Sequence, residues 1–277
     1  MFVSRGTPLG ATAYKTTDDR QEHNSRPKRT AMTQNTKTEA ADQYAQSGPS
    51  PLLSKPKMRR TAVAEALRYH LFKPRAPEHP LALVAYATWR DQWLNTLREV
   101  AGTSRLFSDE FTRQDEIGAL YQDGHCVAVT ALRLVDRSTI VGREDSYFEP
   151  WPPHALTSVG HGLVGISSNT LVHPEWRGGE VTLSEDGANA ALRLPLAILA
   201  LTQRRFAELG VVSMMGVARN DRAMNHIGAA LGARKVGQIL VHGAESDLLC
   251  FPCTSSPAEG ATVDWLWTHR IESDASA

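Results

Sequence analysis

The sequence predicts an α/β protein built on a mixed, twisted sheet flanked by helices, with extra N-terminal helices ahead of the sheet. Two observations carry this reading. The apolar period changes from about 3.6 residues in 81–100 to two residues in 117–135. After residue 163, apolar strand-like runs alternate with helix-like ones, an order that builds a layered α/β arrangement.

Taken in order, residues 1–57 come first and show neither period. Ser47-Gly-Pro-Ser-Pro51 and Lys55-Pro-Lys57 end a polar stretch that cannot bury enough apolar surface to offset its ordering entropy, so a disordered tail is expected. Asp18, Asp19 and Glu22 interrupt it and argue against an organelle presequence, and Met32 and Met58 also permit a later start. Residues 58–277 then form the folded domain: N-terminal helices in 58–110, the core in 111–255 and a C-terminal extension in 256–277.

Val63, Leu67 and Leu71 are spaced by four, which predicts a short helix ended by Lys73-Pro74. Leu83, Ala87, Leu94, Leu97 and Val100 predict a longer one over Leu81 to Val100, stopped by Gly102. Residues 117–121 and 125–135 read as a β-hairpin, because Asp123-Gly124 supplies the positive φ angles of a tight turn. A polar, Pro-rich excursion over 136–154 precedes a strand over 163–172 that stops at His173-Pro174. A helix follows over about 192–209, with Pro195 suited to its first turn. Then come a strand over 211–218, a helix over 220–231 and two strands over 236–241 and 248–251.

The 277 residues carry 30 Lys+Arg and 30 Asp+Glu, so net charge points to neither nucleic acid nor an acidic tail. The balance hides an asymmetry: residues 1–60 hold 11 basic and 5 acidic residues, and the rest 19 and 25. No apolar run reaches the roughly 20 residues of a membrane helix, so a soluble protein without membrane contact is expected. The three cysteines and the absence of a secretory segment point to a reducing cytoplasm. Cys250-Phe-Pro-Cys253 reads as two ordinary thiols near a strand end rather than a redox or zinc motif. His161, His173 and His226 show no metal-ligand spacing, so no metal is expected.

Three stretches, in order, resemble the GCN5-related N-acetyltransferase (GNAT) superfamily over roughly 117–251. Leu171-Val-His-Pro-Glu-Trp-Arg-Gly-Gly179 is similar to that superfamily's strand, loop and pyrophosphate cradle. The long helix and strand after it are the second, and Asn220 to Gly232 is similar to its strand-to-helix segment ending in Leu-Gly. Asp109 to Glu116 and the Arg133-Leu134 pair further resemble the branch containing autoinducer synthases and N-acyl amino acid synthases. The strand Ile166 to Val172 lacks the Glu and Arg of the homoserine-lactone members, so acylation of some other amine is implied.

The resemblance implies an N-acyltransferase using acyl-CoA, or acyl carrier protein, on a small amine or amino acid, with no permanently bound cofactor. It places the donor on Leu171, Val172, Arg177, Gly178, Gly179 and Asn220, with Arg193 compensating for the long insertion over 180–189. Glycines at a helix start let amides and the helix dipole meet a diphosphate. Asn220 serves equally as an N-cap. The superfamily's usual Glu base and Tyr acid are missing, and Gly228 stands at the Tyr position. Candidate catalytic groups are therefore Ser168, whose strand offers an amide to the thioester carbonyl, Glu175 as base through water, and His226 as acid. Surface roles compete for each. A non-catalytic acyl-thioester or protein-binding module and an autoinducer-synthase-like enzyme remain alternatives. Arg204, Arg205, Arg219, Arg222, Arg234 and Lys235 read either as a basic face for an acidic carrier protein or as solvated charges.

Overall fold

The computed structural model describes residues 60–74, 80–103, 114–183, 191–222, 224–241, 243–253 and 260–273. The chain divides into Met1–Ser54 and Lys55–Ala277, and all described residues belong to the second unit. The tail expected to be disordered lies outside the described residues.

Eleven strands and six α-helices occur among the described residues. In chain order they are β1 (Thr61–Val63), β2 (Leu67–Phe72), α1 (Pro80–Ala101), β3 (Glu116–Gln122), β4 (His125–Asp136), α2 (Ile140–Arg143), α3 (Pro153–Val159) and β5 (Leu163–Val172). There follow β6 (Glu180–Thr182), β7 (Leu192–Arg193), α4 (Leu194–Glu208), β8 (Ser213–Arg219), α5 (Met224–Ala230), β9 (Arg234–Val241), β10 (Ala244–Pro252), α6 (Ala261–Thr268) and β11 (Ile271–Ser273). The main sheet has eight strands in the order β11-β2-β3-β4-β5-β8-β10-β9, and β1, β6 and β7 form a small second sheet. Helices cover both faces, so the α/β class expected from the sequence is the observed one.

The hairpin forms because Asp123 (φ 50°) and Gly124 (φ 77°) both adopt positive φ, which matches the twist of β3 and β4. Two apolar clusters sandwich the sheet. Leu67, Tyr69, Leu120, Ala128 and Leu132 meet Ile198, Leu201 and Phe206 of α4 on one face. Phe72, Ile117, Ala119 and Val129 meet Ala85 and Trp89 of α1 on the other.

Three expectations are corrected. Residues 67–72 are a strand, not a helix: a spacing of four is also a multiple of two, and the segment buries both faces, Tyr69 and Leu71 toward α4 and Phe72 toward α1. The helix expected from residue 220 begins at Met224, because the Asn220 amide donates to the Glu245 carbonyl at 3.0 Å and continues the sheet. Asn220 is therefore not a helix N-cap. The excursion after β4 contains α2 and α3, held by Arg137, which donates to the carbonyls of Leu156 and Gly160 at 3.0 Å.

Candidate functional site

The central feature of the sheet is a wedge. Parallel strands β5 and β8 pair only at Val164–Ser213, Gly165–Met214 and Ile166–Met215. Beyond that, each stays with its outer neighbour: β5 pairs with β4 as far as Val172, and β8 with β10 as far as Arg219. The two strands therefore separate, and the inner backbone edges of Ser167–Val172 and Gly216–Arg219 have no strand partner among the described residues. Gly165 sits where the wedge closes. A Cβ there would stand 2.6 Å from the Phe206 ring of α4, so only glycine admits the ring.

A bulge bends β5 beside the opening: Val129 faces Leu171 but Ala131 faces Ser168, so one more residue stands on β5 than on β4. At the bulge three hydroxyls meet. Thr130 Oγ1 lies 3.3 Å from Ser167 Oγ and 3.0 Å from Thr170 Oγ1, and Ser167 and Thr170 are 3.2 Å apart. The sequence signal for this cluster is Thr130 within an apolar run of β4 and the polar stretch Ser167-Ser-Asn-Thr170 within β5. Ser168 lies on the opposite face of β5, the face shared with Ala131.

Helix α1 spans the rim where the wedge opens and is pinned at three points. Tyr121 donates to the Leu81 carbonyl at 2.7 Å, Arg177 Nη2 donates to Gln92 Oε1 at 3.0 Å, and Glu99 meets Arg222 at 2.5 Å and Arg219 at 3.7 Å. Gln92 and Glu99 were not singled out from the sequence, because a helical polar stripe does not reveal what it reaches.

The glycine loop abuts the start of α4. Residues 180–182 and 192–193 pair as a short antiparallel ladder, Glu180 opposite Arg193, so the insertion leaves and returns. It delivers Leu194 to Gly179, whose carbonyl accepts the Leu194 amide at 3.0 Å. Gly178 has φ 79°, and a Cβ on Gly179 would stand 2.8 Å from the Trp176 carbonyl. Pro195 has no amide and that of Leu194 is engaged, while the Ala197 amide closes the first helical turn on the N-cap residue Arg193, which leaves Leu196 as the free donor inside the first turn. Arg177 and Arg193 are both exposed beside this loop.

The remaining expected residues are dispersed. Glu175 pairs with Arg60 at 3.2 Å on the rim, and His226 lies exposed on α5. Described contacts join neither to Ser168 nor to each other. Asn220 is exposed at the end of β8, and Leu171 and Val172 lie half-buried at the end of β5. His161 is exposed at the opposite end of β5. The arginines read as a basic face are mostly spent on ion pairs: Arg204 with Asp264, Arg205 with Glu116, Arg219 and Arg222 with Glu99 and Asp221, Lys235 with Asp247.

Burial and charge set the titrating groups. Burial pushes the Cys126 and Cys253 thiols up to about 12. Glu116 is raised by burial but pulled back further by hydrogen bonds from Arg205 (2.7 and 2.8 Å) and Lys73 (2.9 Å), so its carboxyl stays below the ordinary value. Among the described residues no group of three or more His, Cys, Asp or Glu side chains is arranged to hold a metal, and no helix is long and apolar enough to cross a membrane.

A second feature is a cavity of about 380 Å³ on the rim, bounded by Val84 and Thr88 of α1, the β3–β4 turn and the turn at His173 to Trp176.

Among solved structures, the chain is similar to a CoA-dependent acyl-homoserine lactone synthase crystallised with SAM and isopentyl-CoA, at 14% identity over 75% of this chain and 93% of that one, TM-score 0.47. It is also similar to an N-acyl amino acid synthase from uncultured soil microbes (9% identity, 61% and 91%, TM-score 0.40). A Salmonella typhimurium protein holding acetyl-CoA as its cofactor is a third (12% identity, 70% and 99%, TM-score 0.41). No family model matches the sequence, and no curated protein matches it.

Proposed function

We propose that this protein is an N-acyltransferase that passes an acyl group from an acyl thioester, acyl-CoA in the simplest case, to the amine of a small molecule or amino acid. The observation that carries this reading is the wedge between β5 and β8. Two facing strand edges with unpaired amides and carbonyls call for a ligand that brings its own. A pantetheine arm has two amides in an extended chain, and it pairs as a strand would. The bulge at Thr130 and Thr170 then lies beside the thioester. The neutral amine attacks the carbonyl, the C–N bond forms and the C–S bond breaks, and the thiolate takes up the proton that the amine loses. Backbone amides at the bulge stabilise the oxyanion.

The glycine loop and Arg177 suit the diphosphate of CoA. The sparse amide set of the first α4 turn gives the nucleotide less hold than the arm, so acyl carrier protein, which presents the same arm, is the second donor. The bulge has no carboxylate or imidazole in its hydrogen-bonded cluster, and this keeps a binding module as the alternative. Thiol release from acyl-CoA and from acyl carrier protein, with and without an amine mixture, tests the reading. Amine-dependent thiol release supports catalysis; saturable binding with no release from either donor supports the module.

A further inference from the structure

Resting on the acyl-thioester reading of the wedge, we propose that the hydroxyl cluster at the bulge holds the departing sulfur, with Thr170 as the group that touches it and Thr130 and Ser167 as the residues that aim it. The cluster has a closed side and an open one. Thr130 is fully buried, so its hydroxyl hydrogen must be used within the cluster, where its partners are Thr170 at 3.0 Å and Ser167 at 3.3 Å. Ser167 and Thr170 are half-buried and stand on the stretch of β5 whose inner edge has no strand partner among the described residues. The two shorter contacts of the triangle, 3.0 Å from Thr130 and 3.2 Å from Ser167, both end on Thr170. A hydroxyl oxygen accepts two hydrogen bonds and donates one. With both acceptor positions filled, the Thr170 O–H is left to donate out of the cluster, and the two bonds it receives polarise it.

Thr130 pairs with Gly118, where a Cβ would stand 3.3 Å from the Thr130 methyl and 2.6 Å from the hydroxyl of Tyr69, a member of the apolar cluster under α4. The hydroxyls therefore lie on the α4 face of the sheet, and Ser168 on the opposite face, shared with Ala131. A donor held at the glycine loop, which abuts α4, reaches the bulge from the hydroxyl side and leaves the Ser168 face to the amine. As the amine nitrogen bonds to the carbonyl carbon, the C–S bond breaks and its electron pair goes to sulfur. The Thr170 hydrogen bond strengthens as that charge grows, so it favours the transition state over the bound thioester. The hydroxyl keeps its proton, and the thiolate takes up the one that the amine loses.

A pH titration of pantetheine bound to the full chain tests this without turnover, read by the ultraviolet absorbance of the thiolate with the protein's own signal subtracted. The bound thiol is expected to ionise about one pH unit below the ordinary thiol value of about 8.5, a roughly tenfold preference for thiolate. Thr170→Ser keeps the hydroxyl and is expected to keep the shift. Thr170→Val, of nearly the same shape, is expected to abolish it, and Thr130→Val, which removes one bond to Thr170, to reduce it. A purely structural role for Thr170 would not separate its Ser and Val variants in this value. The same thiol ionisation in Thr170→Val as in the unsubstituted chain would overturn the proposal and leave pantetheine in the wedge. No saturable binding of pantetheine to the unsubstituted chain would overturn it together with the acyl-thioester reading.

Discussion

The Leu194 amide donates to the Gly179 carbonyl over 3.0 Å, although residues 180–193 lie between them in the chain. That bond continues the ladder in which Glu180 and Val181 pair with Arg193 and Leu192. It keeps the glycine loop against the start of α4, and it uses one of the helix's own free donors to do so.

The close contact at Gly179 makes its first prediction specific. Gly179→Ala places a Cβ 2.8 Å from the Trp176 carbonyl, 3.1 Å from Leu194 Cδ1 and 3.2 Å from the Arg60 carbonyl, and two of these are backbone atoms that cannot rotate away. A loss of about 1–3 kcal/mol is expected in urea unfolding. Unchanged stability would mean that the loop does not pack on the helix as described.

Arg177 is held by a neutral partner, Gln92, so its charge is available to an anion. Arg177→Ala is expected to weaken CoA by roughly tenfold at low salt, a difference that shrinks at 1 M salt as screening shortens to about 3 Å. The same substitution is expected to affect a pantetheine thioester, which lacks the nucleotide, far less. Equal losses for both ligands would move the diphosphate elsewhere.

Much of this fold was legible in the sequence, and the misses have physical causes. The β3–β4 hairpin announced itself through Asp123-Gly124, a local turn requirement. The strand at 67–72 did not, because its apolar spacing fits both periods and only the sheet decides between them. The wedge leaves no mark in the sequence at all: it arises from which edges pair, a non-local property. Arg177 and Gly179 were visible as a motif, but Gln92, Gly165 and the hydroxyl cluster act through partners far along the chain.

Glu116 ties β3 to Arg205 of α4 and to Lys73, and Arg205 also reaches Glu208 and Glu272. Its folded pKa lies below the ordinary value of 4.5. The stabilisation it gives is therefore fully present above that value and lost as pH falls through the folded pKa. Glu116→Gln is expected to cost about 3 kcal/mol at neutral pH and to flatten the acid limb of the stability profile. An unchanged acid limb would assign that loss to other carboxylates.

All three cysteines are free and buried, and burial holds Cys126 and Cys253 near 12. A thiol reagent at pH 8 is expected to label none of them within minutes in the folded protein and all three after unfolding. Rapid labelling of Cys250 or Cys253 in the native state would revive a redox role for that pair. The same inertness keeps a thiol-release assay free of protein background.

With no carboxylate or imidazole hydrogen-bonded at the bulge, the amine is expected to supply its own deprotonated fraction. The pH profile of kcat/KM should then rise with the acceptor's own ionisation and move when a less basic amine is used. A profile fixed near the histidine range whatever the amine, and abolished in His226→Ala, would instead make His226 a catalytic group.

The wedge as the seat of an acyl thioester is tested most directly by unfolding the full chain with and without an acyl-CoA and the matching acyl-pantetheine. Both are expected to raise the unfolding midpoint, because at about 100 times its dissociation constant a ligand of the folded state adds roughly 2.7 kcal/mol. A midpoint unmoved by either compound would contradict a thioester between β5 and β8.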